Sequence, residues 1–220
     1  MHNKKVRVSV LSPSIRPEYL NITQDCLENQ TSQDFEWHIE LGLRNRGYSL
    51  STDLNKLLKR SQGEIIVMLQ DCIRVEDNFI EECIKLYDKY PNTFITLPVG
   101  KVMNFGQDPK WDWRTYRETR EIPPQNWEAD LAIAPRKAFY DIGGYDERYD
   151  EGWSWENCGI AYRAEKAGYK FLCVPDVKGI AIDHDALKPN PFRYSRQNND
   201  KRALETLRLA QEGNYKLNYL

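Results

Sequence analysis

No stretch of this chain is apolar enough to enter a membrane: the longest uninterrupted apolar run, Ile65 to Leu69, is five residues. A spanning helix needs roughly 20. Nor is one sign of charge in excess. Lysine and arginine total 31 against 33 acids, which removes the broad basic surface of a nucleic-acid binder. Cysteine is scarce and unpatterned: Cys26, Cys72, Cys83, Cys158 and Cys173 contain no Cys-x-x-Cys. Neither a disulfide framework nor a zinc knuckle is implied, and buried free thiols are expected. Met1-His2-Asn3-Lys4-Lys5 lacks the apolar stretch and small-residue cleavage site of a secretory signal. The resulting expectation is a cytoplasmic protein, with attachment to a membrane surface through an amphipathic patch left open.

What is present suits one folded domain spanning 1–220. Hydrophobic residues are 40% and charged residues 29% of the 220, and the mean hydropathy of -0.72 implies a polar surface. Val6, Val8 and Val10 alternate with polar residues and predict a first strand ending near Pro13. Pro17 then opens a helix carrying Tyr19, Ile22, Cys26 and Leu27 on one face. Phe35 to Leu41 reads as a second strand. Leu50, Leu54, Leu57 and Leu58 recur at helical spacing before Gly63, and Glu64 to Leu69 is a strand buried on both faces, suited to the middle of a parallel sheet. Asp77 is placed to cap a helix with Phe79, Ile80, Cys83, Ile84 and Tyr87 inward, and Phe94 to Leu97 supplies another strand.

This β-α-β-α-β-α-β order predicts a Rossmann-like α/β fold, a mostly parallel sheet flanked by helices. From Gly100 to Asn126 the pattern gives way to a long excursion around Trp111-Asp112-Trp113-Arg114, the form of a functional or mobile loop. Ala129 to Ala134 and Lys170 to Val174 read as later strands, Ile160 to Ala167 as a helix ended by Gly168, and Asn198 to Gly213 as a helical tail.

Ligands in open α/β sheets bind beyond the carboxyl ends of strands. Three places qualify. Ser12-Pro13-Ser14-Ile15-Arg16-Pro17 offers backbone amides and a guanidinium to an anion, or is a plain strand-to-helix turn. Gln70-Asp71-Cys72 follows the buried strand, and its acid suits a hard cation or a helix cap. Gly143-Gly144-Tyr145-Asp146-Glu147 and Trp153-Ser154-Trp155-Glu156-Asn157 bring aromatic faces near carboxylates and amides, the chemistry of a sugar site, although clustered tryptophan also makes core. His184, after the last strand, is a ligand candidate or an ordinary surface residue.

Together these segments resemble the family-2 glycosyltransferases of GT-A fold, from about Val6 to His184. Val8 to Leu20 is similar to that family's opening strand, proline turn and arginine. Asn55, eight residues before Gly63-Glu64, sits like the family's asparagine, and Gln70-Asp71-Cys72 occupies the place of its acidic metal motif. The Gly-Gly-Tyr-Asp-Glu and Trp-Glu-Asn segments are similar to the acceptor-side signature, and the latter also resembles that of polypeptide N-acetylgalactosaminyltransferases. The resemblance implies residues 1–100 as the nucleotide half, 101–190 as the acceptor half and 191–220 as a tail.

It also implies a function: transfer of a sugar from a nucleoside diphosphate sugar, a UDP-sugar foremost, to a glycan, lipid-linked or protein hydroxyl. Asp71 and His184 would hold Mn²⁺ or Mg²⁺. Pro13, Ser14, Arg16, Glu40, Asn55 and Gln70 would line the nucleotide site with Asp71. Trp153, Trp155, Asn157 and Gly144 would shape the sugar pocket, and Glu156 or Asp130 would serve as base. The chain departs from the family near the end of the second strand, where His38-Ile39-Glu40-Leu41-Gly42-Leu43 leaves Glu40 as the only acid, and at three further positions: Gln70 and Cys72 replace outer acids of the metal motif, and Asn157 replaces an aspartate whose carboxylate could accept a proton. A GT-A module that binds without turnover, or a nucleotidyltransferase, would share much of this layout. Oligomeric state, donor, acceptor and stereochemistry are left open.

Overall fold

The structure, a computed structural model, describes residues 6–42, 49–102, 108–152, 154–182 and 196–220. Its first half follows the expected order: β1 (Val8–Ser14), α1 (Leu20–Glu28) after a 3₁₀ turn at Pro17–Tyr19, β2 (Phe35–Leu41), α2 (Leu50–Arg60), β3 (Ile65–Leu69), β4 (Ile73–Val75), α3 (Phe79–Lys89) and β5 (Thr93–Thr96). The second half adds β6 (Val99–Val102), β7 (Lys110–Trp111), β8 (Arg120–Glu121), β9 (Leu131–Pro135), α4 (Arg136–Asp141), α5 (Glu156–Lys166), β10 (Lys170–Cys173), β11 (Gly179–Ile182) and α6 (Arg196–Gln211).

Seven strands form one sheet in the order β2-β1-β3-β9-β5-β10-β8. β1 is parallel to β2 and β3, and β10 to β5, while β9 lies antiparallel between β3 and β5 and β8 antiparallel beside β10. The α/β class, the flanking helices and a mostly parallel sheet are as expected, five strands running one way, while β9 and the short β8 run against them and make the sheet mixed. The reason is where the Gly100 to Asn126 excursion ends. Asp130 arrives at the carboxyl end of β3, its carbonyl accepting from Gln70 N at 3.0 Å, so β9 must run back. An apolar run such as Leu131 to Ala134 carries no sign of its direction. A second sheet, β4-β11-β6-β7, was not legible because its strands are two to four residues long.

Alternation along β3 builds the core on both faces. Ile65, Val67 and Leu69 join Val10, Phe79, Ile80, Cys83 and Ile133 under α1 and α3. Ile66 and Met68 join Leu54, Leu57, Phe139 and Ile160 on the opposite face. Each such side chain contributes about 1.5–3 kcal/mol on burial. Trp127 belongs to this core, edge-on to Phe94 at 5.1 Å. All five cysteines are free, four of them buried.

The start of α3 departs from expectation. Buried Gln30, not Asp77, caps it: Oε1 accepts from Ile80 N at 2.9 Å, and Nε2 donates to Glu76 O at 2.8 Å and Cys26 O at 3.0 Å. A buried amide must satisfy both of its ends, and these bonds tie the end of α1 to the start of α3. After α6 the tail crosses the loop following α4, with Leu217 N donating to Ile142 O at 2.9 Å and Tyr219 N to Gly143 O at 3.0 Å. Gly143 has φ +76°, and a Cβ there would lie 1.8 Å from Leu217 O. Glycine is required on both counts.

Candidate active site

The parallel register aligns Leu11 with Met68, so residues three further on, Ser14 and Asp71, reach the same edge of the sheet. There Ser14 Oγ donates to Asp71 Oδ2 at 2.5 Å and Arg16 Nη2 to Asp71 Oδ1 at 2.6 Å. Arg16 N donates to Ser14 Oγ at 2.9 Å. The Asp71 side chain is 2% exposed and that of Arg16 15%, so the guanidinium lies near the rim. Pro13 pairs in register with Glu40, and Gln70 is exposed beside Asp71.

Two expected nucleotide contacts are engaged elsewhere. Glu40 is ion-paired with Lys56 at 3.1 Å and Arg60 at 2.8 Å, because β2 packs against the basic side of α2. Asn55 is fully buried: its Nδ2 donates to Tyr145 O at 2.9 Å and Glu147 Oε1 at 3.0 Å, and its Oδ1 accepts from Tyr145 N at 2.8 Å. With both ends of its amide used, Asn55 clamps the Gly143-Glu147 loop. Gly144 is held in the same clamp, since a Cβ there would meet Asn55 Oδ1 at 2.6 Å and Leu220 at 2.8 Å.

Sequence reasoning missed Asp53. This acid of α2 is buried beyond the end of β2, close enough that a Cβ on Gly42 would lie 3.1 Å from its Oδ2 and 3.0 Å from Ile15. Its Oδ2 accepts from Ser49 Oγ at 2.7 Å and its Oδ1 pairs with Lys56 at 3.1 Å. The signal was an acid one residue before Leu54, within the buried stripe of an amphipathic helix.

The second cluster of charge surrounds Arg114, whose side chain is 3% exposed. It donates to Asp130 Oδ1 at 2.5 Å and Oδ2 at 2.8 Å, to Thr96 Oγ1 at 3.2 Å, and through Nε to Asp112 Oδ2 at 2.9 Å. Both Asp130 oxygens are thus committed to the guanidinium. Glu128, also missed, has its carboxyl raised by desolvation and then by the charge of Asp130, with Arg114 opposing and Asp112 and Glu156 adding smaller contributions. Glu156, buried at the first position of α5, faces the same region: burial, then the charges of Glu128 and Glu156, push the Cys158 thiol up to about 12. Asn157 Oδ1 is buried with no hydrogen-bond donor among the described residues. Trp155 is half-buried, its indole N–H donating to Asp200 Oδ1 at 2.5 Å. Trp153 and His184 lie outside the described residues.

Of the two residues expected to hold a divalent cation, Asp71 lies among the described residues and His184 does not. Both carboxylate oxygens are taken by Ser14 and Arg16, Gln70 offers only an amide, and burial raises the Cys72 thiol to about 11, far from the thiolate that ligates metals. Among the described residues no group of three His, Cys, Asp or Glu is arranged to hold a metal ion.

Several solved structures share this architecture. The chain superposes on Staphylococcus aureus TarS 1-349 in complex with UDP with a TM-score of 0.63 at 12% identity, covering 93% of this chain and 65% of that one. GalNAc-T7 with UDP, GalNAc and Mn²⁺ gives 0.67 at 14% identity, covering 93% and 49%. The chain has the GT-A glycosyltransferase fold. A further S. aureus TarS structure gives 0.55 at 12% identity over 81% and 36%. The GT-A chain therefore spans between about a third and two thirds of the structures it matches. No protein-family model and no curated protein matches the sequence. Among the described residues, no helix of the GT-A domain is long and apolar enough to cross a membrane.

Proposed function

We propose that this GT-A domain transfers a sugar from a nucleoside diphosphate sugar, a UDP-sugar foremost, to an acceptor hydroxyl. The observation that carries the reading is the meeting of Ser14, Arg16 and Asp71 at the carboxyl edge of β1 and β3, in a fold whose similar structures were solved with UDP. Residues 1–100 would hold the nucleotide and 101–190 the acceptor, with Asp53 beside β2 offering an acceptor oxygen to ribose or base.

Each residue then has a part in the reaction. The Arg16 guanidinium faces charge that grows on the diphosphate as the bond from the anomeric carbon breaks and its electron pair leaves with the phosphate. Glu156 orients the acceptor hydroxyl or takes its proton as the oxygen attacks that carbon. Asp130, committed to Arg114, anchors the 108–127 segment in place of acting as base, and that segment excludes water, whose attack would hydrolyse the donor. Trp155 supplies an apolar edge to the sugar pocket.

The direct test is thermal denaturation with UDP, GDP, CDP and dTDP, each in EDTA and in Mn²⁺, followed by sugar release from the donor carrying the winning nucleotide. A ligand selective for the native state raises the melting temperature in proportion to occupancy. Stabilisation by one diphosphate with slow sugar release is the expected result; no stabilisation by any of them would sink the proposal. Gln70, Cys72 and Asn157, standing where the resembled family has acids, favour one second reading, a module that binds without turnover. Stabilisation with no sugar release would select it.

A further inference from the structure

The turn that enters α5 is strained. Ser154 and Trp155, neither of them glycine, have φ of +78° and +77°. An L-residue in the left-handed region is disfavoured, two in succession doubly so, and such pairs persist only where surrounding structure holds them. A helix is usually entered through a residue in the β region. The left-handed entry here fixes both the direction of the Trp155 indole and the position of Glu156, one residue on.

What holds the turn comes from the far end of the chain. Asn199, fully buried on α6, donates from Nδ2 to Ser154 O at 2.9 Å and to Tyr149 O at 3.0 Å. Asp200 Oδ1 receives the Trp155 indole N–H at 2.5 Å. One turn on, Arg202 Nη1 donates to Asn199 Oδ1 at 3.2 Å and Nη2 to Glu151 at 3.0 Å, and Thr206 shares a hydrogen bond with Tyr149 Oη at 3.1 Å. Asn199, Arg202 and Thr206 recur at helical spacing, so one face of α6 grips Tyr149, Glu151 and Ser154. Gly152 admits this grip, because a Cβ there would fall 2.4 Å from Asn199 Oδ1.

We propose that Asn199 and Asp200 are positioning residues of the transferase site: they hold the Ser154-Trp155 turn in its left-handed form and so set Glu156 and Trp155 for the acceptor. The proposal rests on the transferase reading for its catalytic consequence but not for its structural one. Since the hydrogen bonds of Asn199 to Ser154 and of Asp200 to Trp155 lie at the α5 entry, their loss should spare nucleotide binding and slow transfer.

The experiment compares wild type with Asn199→Asp, which loses the two N–H donors at nearly constant shape, Asp200→Ala, which loses the indole acceptor, and Asp200→Asn, which keeps an acceptor oxygen. Each is measured for UDP affinity, for kcat and KM in sugar release, and for amide hydrogen exchange across 154–159. Asn199→Asp and Asp200→Ala should lower kcat at least tenfold, with UDP affinity and donor KM within about twofold, and exchange at 154–159 should speed tenfold or more. Asp200→Asn should recover kcat to within about threefold of wild type. Unchanged kcat in Asp200→Ala, or equal loss in Asp200→Ala and Asp200→Asn, would overturn the proposal. If wild type releases no sugar from any donor, the transferase reading fails and exchange alone decides: faster exchange in Asp200→Ala than in Asp200→Asn upholds their hold on the Ser154-Trp155 turn, and equal protection refutes it. Should Asn199→Asp fail to fold, the Asp200 pair still decides.

Discussion

Replacing Arg114 with methionine removes a buried charge at nearly constant volume and leaves two carboxylates facing each other. Arg114 is the shared partner of Asp112 and Asp130, so its loss strands both. Breaking a buried pair from one side costs about 3–5 kcal/mol. The Asp112 and Asp130 side chains keep 21% and 25% of their surface and can partly rehydrate, which places the cost near the lower end, about 3 kcal/mol. In a domain of this size 1 kcal/mol moves the melting temperature by about 2–4 °C, so Arg114→Met should melt roughly 6–12 °C below wild type. Adding Asp130→Asn removes one stranded charge. The double variant should therefore be less destabilised than the sum of the singles, by about 1 kcal/mol or more. A loss under about 2 °C for Arg114→Met, or strict additivity of the pair, would show that the guanidinium does not hold the two acids together.

Three further outcomes follow from the same structure. Gly143→Ala, which puts a Cβ into the tail backbone at a positive φ, should cost at least about 2 kcal/mol, whereas Gly168→Ala, with φ +92° and nothing within 4 Å, should cost only about 1 kcal/mol; chemical denaturation compares them. Burial alone would raise the Asp146 carboxyl, but the hydrogen bonds and charge of Arg148 more than reverse this and hold it below its usual value. Its contribution is thus present above the unfolded-state pKa near 4 and fades as pH falls through the lower folded value; Asp146→Asn should lose less stability than wild type between about pH 5 and pH 2, and an unchanged acid limb would contradict that assignment. Glu156→Gln should reduce sugar release at least about 100-fold while leaving UDP affinity within twofold, read by kinetics and calorimetry.

The first half of the fold was legible because its signals are local. Phe35 to Leu41, Leu50 to Leu58 and Glu64 to Leu69 carry complete periods, and the observed elements match them within two residues. The second half depends on partners distant in sequence. Ile73–Val75 and Gly179–Ile182 are strands because they pair with each other, and no window of three or four residues contains that information. The site divides the same way. Ser14, Arg16 and Asp71 could be singled out because strand ends mark them, and the structure brings them together. Asn55 and Glu40 carry polar groups of the right kind but spend them on Tyr145 and on Lys56 and Arg60, a choice set by packing. Asn199 and Asp200 lie more than forty residues beyond the turn they hold, in a tail whose composition says only helix.

Calorimetric titration of UDP into wild type and Arg16→Gln, in EDTA and again in Mn²⁺, tests the central claim most directly. Saturable binding to wild type that persists in EDTA is expected, with affinity at least about tenfold weaker in Arg16→Gln, equivalent to about 1.4 kcal/mol. Absence of binding to wild type under both conditions, or equal affinity in the variant, would contradict it.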